Sequence, residues 1–155
     1  MNQPIICLHR GTSLISRMIR WQQRSRYSHA SILLPSGLHY ESREGKGVIV
    51  HPRFTLTNKS EQVNQFVFCE PLRPEDITAG ADFLAKQVGK KYDWPMVFGF
   101  VSRSDHEGPS SEGRYFCSEL VDHWAKSMGR HFLARIDPWE MSPGHIGLSP
   151  LIKPL

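Results

Sequence analysis

Apolar residues recur along this chain in two rhythms, and the change from one to the other marks its elements. PIICLH (4–9) is an apolar run of strand length. From 13 to 24 the spacing becomes three and four. Leu14, Ile15, Met18 and Ile19 share one stripe, and Arg17, Arg20 and Arg24 fall elsewhere. This predicts a helix, capped by Thr12, that packs its stripe on a core and leaves a basic side in water. YSHASILL (27–34), the turn PSG (35–37) and LHYES (38–42) read as a hairpin. KGVIVH (46–51) and NQFVFCEPL (64–72) add two strands. Pro74 opens a helix to about Val88, with Ile77, Ala81, Leu84 and Val88 as its stripe and Gly89 as its stop. YDWPMVFGFV (92–101) predicts a short buried helix from near Asp93. A polar loop, RSDHEGPSSEGR (103–114), follows, and its Ser/Gly-rich stretch 104–113 is expected to be mobile and to border the groove at the helix after it. In that helix Cys117, Leu120, Val121, Trp124 and Met128 share a face, and Gly129 ends it. The Pro/Gly-rich tail from Asp137 is expected to wrap the surface. With no repeat and no linker, the expectation is one α+β domain over 1–155, an antiparallel sheet packed against helices.

Composition narrows the class. The chain has 155 residues, 39% hydrophobic and 22% charged, which suits a folded domain with a real core. Three cysteines, Cys7, Cys69 and Cys117, stand in unrelated contexts, so no disulfide framework is expected. Cys7 and Cys69 read as strand-core residues. No spacing suggests a zinc site. The net charge of +4 is mild, and no nucleic-acid partner is expected. The basic helix at 13–24, with Trp21, allows a weak contact with an anionic surface. No run reaches the roughly 18 apolar residues of a membrane span. MNQPIICLHRG has no basic lead-in to a signal, so a cytoplasmic location is expected.

The candidate chemistry begins at Cys117. It opens a helix, where unpaired N–H groups and the helix dipole favour thiolate over thiol. A buried cysteine is also an ordinary small hydrophobe. Strand alternation puts His29, Ser31 and Leu33 on one face of their strand, with Glu41 on the same face of the hairpin, opposite His29 or one diagonal away. A carboxylate on one imidazole nitrogen fixes the tautomer and steadies the imidazolium, which frees the other nitrogen for a thiol. His39 is the reserve for the third position. Glu119 reads first as a helix-start carboxylate complementing the dipole.

The chain order is His, Glu, Cys, whereas papain-like enzymes put the nucleophile's helix first. The sequence resembles the circularly permuted papain-like, NlpC-related hydrolases, most closely the YiiX-like group of cysteine peptidases and amidases. The matching pieces are YSHASILL, HYESREGKGV, GKKYDW (89–94), RYFCSELVDHW and the PWEMSPGHIGLS tail. The resemblance implies a permuted papain-like (NlpC-type) fold, Cys117 as nucleophile, His29 as base and Glu41 as third polar residue. It also implies cleavage of an amide bond through a thioester, with no metal or organic cofactor. Tyr115 and Tyr27 are candidate substrate contacts. The substrate would be a peptide, an amino-acid amide or a lipid. The spacing of twelve from His29 to Glu41 is similar to that in lecithin retinol acyltransferase relatives, so lipid acyl transfer or deacylation is an alternative. A non-catalytic binding domain on the same fold is another.

Overall fold

Alternation sorts the strand residues into two sets, and the structure buries both. The computed structural model describes residues 2–56, 60–93, 113–134, 136 and 140–155, without the side chains of Ile15 and Gln22. Six strands form one antiparallel sheet: β1 (Ile5–Arg10), β2 (His29–Leu33), β3 (His39–Arg43), β4 (Gly47–His51), β5 (Gln62–Phe68) and β8 (Ile152–Pro154). Their spatial order is β4-β3-β2-β1-β5-β8. Neighbours in sequence are neighbours in space for most of this sheet, which favours local pairing by short turns. Two short parallel strands, β6 (Lys91–Tyr92) and β7 (Arg114–Tyr115), pair beside it.

The apolar face of the sheet carries Ile6, Leu8, Ala30, Ile32, Tyr40, Val48, Phe66 and Phe68, all buried. Helices α2 (Pro74–Gln87) and α3 (Cys117–Ser127) close this core, α3 lying over β2 and β3. Leu120, Val121 and Trp124 are the helix's contribution, at the spacing that aligns them on one face. Gly80 of α2 lets the helices approach, since a Cβ there would stand 2.7 Å from both Trp124 Nε1 and Met128 Sδ. Phe132 stacks on Phe68 at 6.0 Å and extends the core past α3.

Several expectations change. Helix α1 spans Leu14–Gln22, but its cap is Ser13, whose Oγ accepts the Ser16 N–H at 3.1 Å. Thr12 bonds Ser60 instead. Of its stripe, Leu14 and Met18 are exposed and Ile19 is half-buried, so these residues are not core. Cys69 falls just past β5 and is exposed, its thiol directed at the Pro150 carbonyl at 3.6 Å. The tail forms helix α4 (Pro143–Gly147) and then strand β8, with Met141, Ile146 and Ile152 buried. It completes the sheet edge against β5 rather than wrapping the surface. Most of the helix expected over 92–101, and of the loop over 103–114, lies outside the described residues; Tyr92, Asp93, Arg114 and the turn at Gly113 are the parts seen. Among the described residues no helix is long and apolar enough to cross a membrane.

Gly47 holds the junction between the sheet and β6. Its φ is +74°, and a Cβ would collide with the Lys90 carbonyl oxygen, which accepts the Val48 N–H at 2.8 Å. Gly45 has φ +72° but open space around it. Gly47→Ala should therefore cost clearly more than Gly45→Ala, for which left-handed strain alone predicts about 1–2 kcal/mol. Thermal denaturation of the two variants checks the order, and equal losses would remove the steric argument.

Candidate active site

The register of the hairpin sets the site. Ser31 is opposite Glu41 and Leu33 opposite His39, so Glu41 sits one diagonal from His29. The rings close the gap: His29 Nε2 lies 2.8 Å from Glu41 Oε2. The other carboxylate oxygen, Oε1, lies 2.9 Å from Nε2 of His51, on β4, and 3.6 Å from the Arg43 guanidinium. Glu41 is thus a buried carboxylate, 2% exposed, held between two imidazoles.

Cys117 reaches His29 across the end of the sheet. Helix α3 packs on the apolar face, while His29 belongs to the polar face, and residues in mid-strand could not meet from these positions. Both residues stand first in their elements. The Ser42 hydroxyl donates to the Tyr115 carbonyl at 2.6 Å, tying the end of β3 to the chain just before α3. This leaves the buried Cys117 thiol near His29, close enough for the sulfur to act on the ring electrostatically. With Nε2 turned to Glu41, Nδ1 is the nitrogen left for sulfur. Glu119 is buried and accepts the Phe116 N–H at 3.3 Å, fixing the start of α3.

The electrostatics divide the histidines. Burial opposes charge on His29, but the Cys117 sulfur and the Glu41 carboxylate outweigh it, and its pKa is pushed up to about 10. Burial likewise opposes the Glu41 charge, yet His29, His51 and Arg43 hold it down at about 2. His39 goes the other way: desolvation lowers it to about 4. His9 is lowered for the same reason. A single chain of hydrogen bonds fits these neutral rings. The Thr55 N–H donates to His39 Nδ1 at 3.3 Å, so His39 Nε2 carries the proton and donates to Ser31 Oγ at 2.8 Å. The Ser31 hydroxyl then donates to His9 Nε2 at 2.7 Å. The remaining nitrogen, His9 Nδ1, faces Glu61 at 3.3 Å, an electrostatic contact rather than an aligned hydrogen bond. Phe54 covers this layer, its ring 6.5 Å from His9 and 5.0 Å from His39. Cys7 lies buried beneath, its thiol pushed up to about 12 by desolvation.

Of the residues singled out in the sequence, Cys117, His29 and Glu41 come together. The two tyrosines are engaged elsewhere. Tyr27 sets its ring edge-on to Phe66 at 6.3 Å and against Gly147. The Tyr115 hydroxyl donates to Gln87 at 3.2 Å, and its ring meets His123 at 5.5 Å. His39, the reserve third residue, belongs to the Ser31 chain. Sequence reasoning missed His51 and Tyr92. His51 was available from alternation, since KGVIVH pairs with the hairpin strand so that His51 faces His39. Tyr92 is buried near Cys117, and desolvation together with negative charge on that sulfur raises its pKa, so the phenol keeps its proton. Tyr92 and His29 line one cavity of about 330 Å³ with Ser13, Ser16, Ser28 and Arg43.

No protein-family model matches the chain. No curated protein matches it either. Among solved structures it is similar to metalloprotein yiiX from Escherichia coli O157:H7. The two share a TM-score of 0.73 and 16% identity over 99% of this chain and 96% of that one. At this identity the likeness establishes the fold: a mixed α+β, yiiX-like architecture with an antiparallel sheet packed against helices. That protein's title calls it a metalloprotein. The described residues here do not fit such a centre, since no three His, Cys, Asp or Glu side chains converge on a point that could hold an ion. The donors are spent on one another instead, His29 and His51 on Glu41, His9 and His39 on Ser31.

The charged pair has a defined pH window. His29, raised from 6.5, contributes stability that is full below about pH 6.5 and is lost as pH rises toward 10. Glu41, lowered from 4.5, contributes above about pH 4.5 and is lost as pH falls toward 2. Imidazole NMR should show His29 titrating well above 6.5. His51→Ala and Cys117→Ala should each lower that midpoint, because one frees Glu41 to reorient and the other removes the sulfur charge. An unmoved midpoint in both variants would mean that Glu41 alone sets the charge of His29.

Proposed function

We propose that the chain is a cysteine hydrolase of permuted papain-like design, cleaving an amide bond through a thioester. The observation that supports this reading is the 2.8 Å bond from His29 to the Glu41 carboxylate, on a ring that also feels the Cys117 sulfur. The His–Glu–Cys order along the chain is the order expected when a papain-like arrangement is permuted.

Each residue then has one task. His29 takes the Cys117 proton, and the thiolate adds to the substrate carbonyl carbon. The carbonyl electron pair moves to oxygen, giving a tetrahedral oxyanion. The Cys117 N–H, at the first position of α3 where no intrahelical acceptor exists, donates to that oxygen. Tyr92 is the second donor, its phenol kept protonated beside the sulfur. The oxyanion collapses, the C–N bond breaks, and His29 Nδ1–H delivers its proton to the departing amine. Water then attacks the thioester with His29 as base, releasing acid and the free thiol. Glu41 stays ionised throughout and stabilises the imidazolium, and His51 and Arg43 keep it ionised.

The test is intact-mass detection of the acyl-enzyme after exposure to a panel of activated amides and esters. A Cys69→Ser background is needed, since Cys69 is exposed and would react on its own. We expect adduct on Cys117 only, its loss in Cys117→Ala, and a fall of about 10²–10⁴ in acylation rate in His29→Ala. Glu41→Gln should fall less, because an amide still holds the ring but not its charge. Tyr92→Phe should slow acylation while leaving thiol alkylation by iodoacetamide unchanged, as expected of an oxyanion donor. If Cys117 alkylates no faster than a free thiol and His29→Ala changes nothing, the binding-domain reading replaces this one.

A further inference from the structure

Helix α1 presents the feature that the fold leaves unexplained. Leu14 is 72% exposed, Met18 44% and Trp21 79%. At about 100° per residue these three fall within about 60° of one another, so they form a single apolar stripe on the outside of the protein. Arg17, also exposed, borders the stripe. Along the chain, the charge on both sides of it has one sign. The first forty residues hold five arginines, Arg10, Arg17, Arg20, Arg24 and Arg26, and neither aspartate nor glutamate. Arg10, Arg17, Arg24 and Arg26 are exposed. The arginine ion pairs among the described residues use Arg43, Arg73 and Arg130, and none uses these five.

We infer that α1 is an interfacial helix that docks the protein on an anionic lipid bilayer. Exposed apolar side chains including a tryptophan, on a short helix with exposed arginines on both sides of it in the chain, match what a headgroup–acyl boundary recognises: the stripe enters the boundary while the arginines meet lipid phosphates. Charge complementarity selects this occupant. A second copy of the chain would bring the arginine clusters together, and a nucleic acid would have no use for the apolar stripe. Docking also orients the molecule. Ser13 and Ser16, at the start of α1, line the same cavity as His29 and Tyr92, so the helix would hold the mouth of that cavity beside the bilayer surface.

Vesicle sedimentation with the full chain tests this, using phosphatidylcholine alone and phosphatidylcholine mixed with phosphatidylglycerol. We expect binding to the mixed vesicles that weakens with salt, and little to phosphatidylcholine. Arg17→Glu and Arg24→Glu should each weaken it by about fivefold or more. Leu14→Ser with Trp21→Ser should abolish it, with circular dichroism unchanged because both side chains are exposed. Brominated lipid should quench the wild type but not Trp21→Phe, a readout that does not depend on the double variant folding. Cys117→Ala should bind as the wild type does, which separates docking from the proposed chemistry. The inference is overturned if mixed vesicles do not bind at low salt. It is overturned equally if only the arginine changes matter and DNA competes, which marks a nucleic-acid face, or if the stripe instead drives dimerisation without lipid binding.

Discussion

Everything at the site depends on one buried carboxylate. Glu41 is removed from water, and a lone charge there would be costly enough to neutralise it. It stays ionised because both oxygens are met: Oε2 by His29, Oε1 by His51 and Arg43. That pairing in turn makes a charged His29 acceptable in a mostly buried place, beside Cys117. The sequence of dependence runs from β4 and β3, through β2, to the first residue of α3. Loss of any outer partner would be felt at the thiol without touching it.

A second layer keeps that charge from spreading. His9 and His39 stand close to His29, and two more imidazolium rings there would repel it. Desolvation lowers both, and the Ser31 hydroxyl locks them into defined neutral tautomers. Four histidines on one sheet face therefore act as different chemical groups, distinguished by their hydrogen-bond partners and their burial. The same pairing, two rings to one acceptor or hydroxyl, is why these described residues make no common centre for an ion.

Outside the site, the fold separates what it hides from what it shows. The sandwich of sheet, α2 and α3 buries the long apolar runs. Helix α1, tethered between β1 and β2, leaves the sandwich and carries its apolar stripe outward. An amphipathic pattern says that one side of a helix differs from the other; it does not say which side meets the protein. That choice is read from burial alone, which leaves Leu14, Met18 and Trp21 in water.

The sequence by itself determined most of the sheet and the central pair of residues. Period-two alternation and the PSG turn placed β2 and β3 and put Glu41 on the face of His29, because side chains in a hairpin have only two directions to point. Spacings of three and four, and Gly129, placed α3 with Cys117 at its start. The tertiary structure alone decided the rest. The diagonal register fixed which carboxylate oxygen meets His29 and left the other for His51, ten residues along the chain from Glu41. The packing of α3 over β2 and β3 brought the Cys117 sulfur near His29. Cys69 fell one residue beyond its strand and out of the core, and the Pro/Gly-rich tail supplied the sixth strand. Each of these turns on contacts between distant segments, and local periodicity records only what neighbours along the chain require.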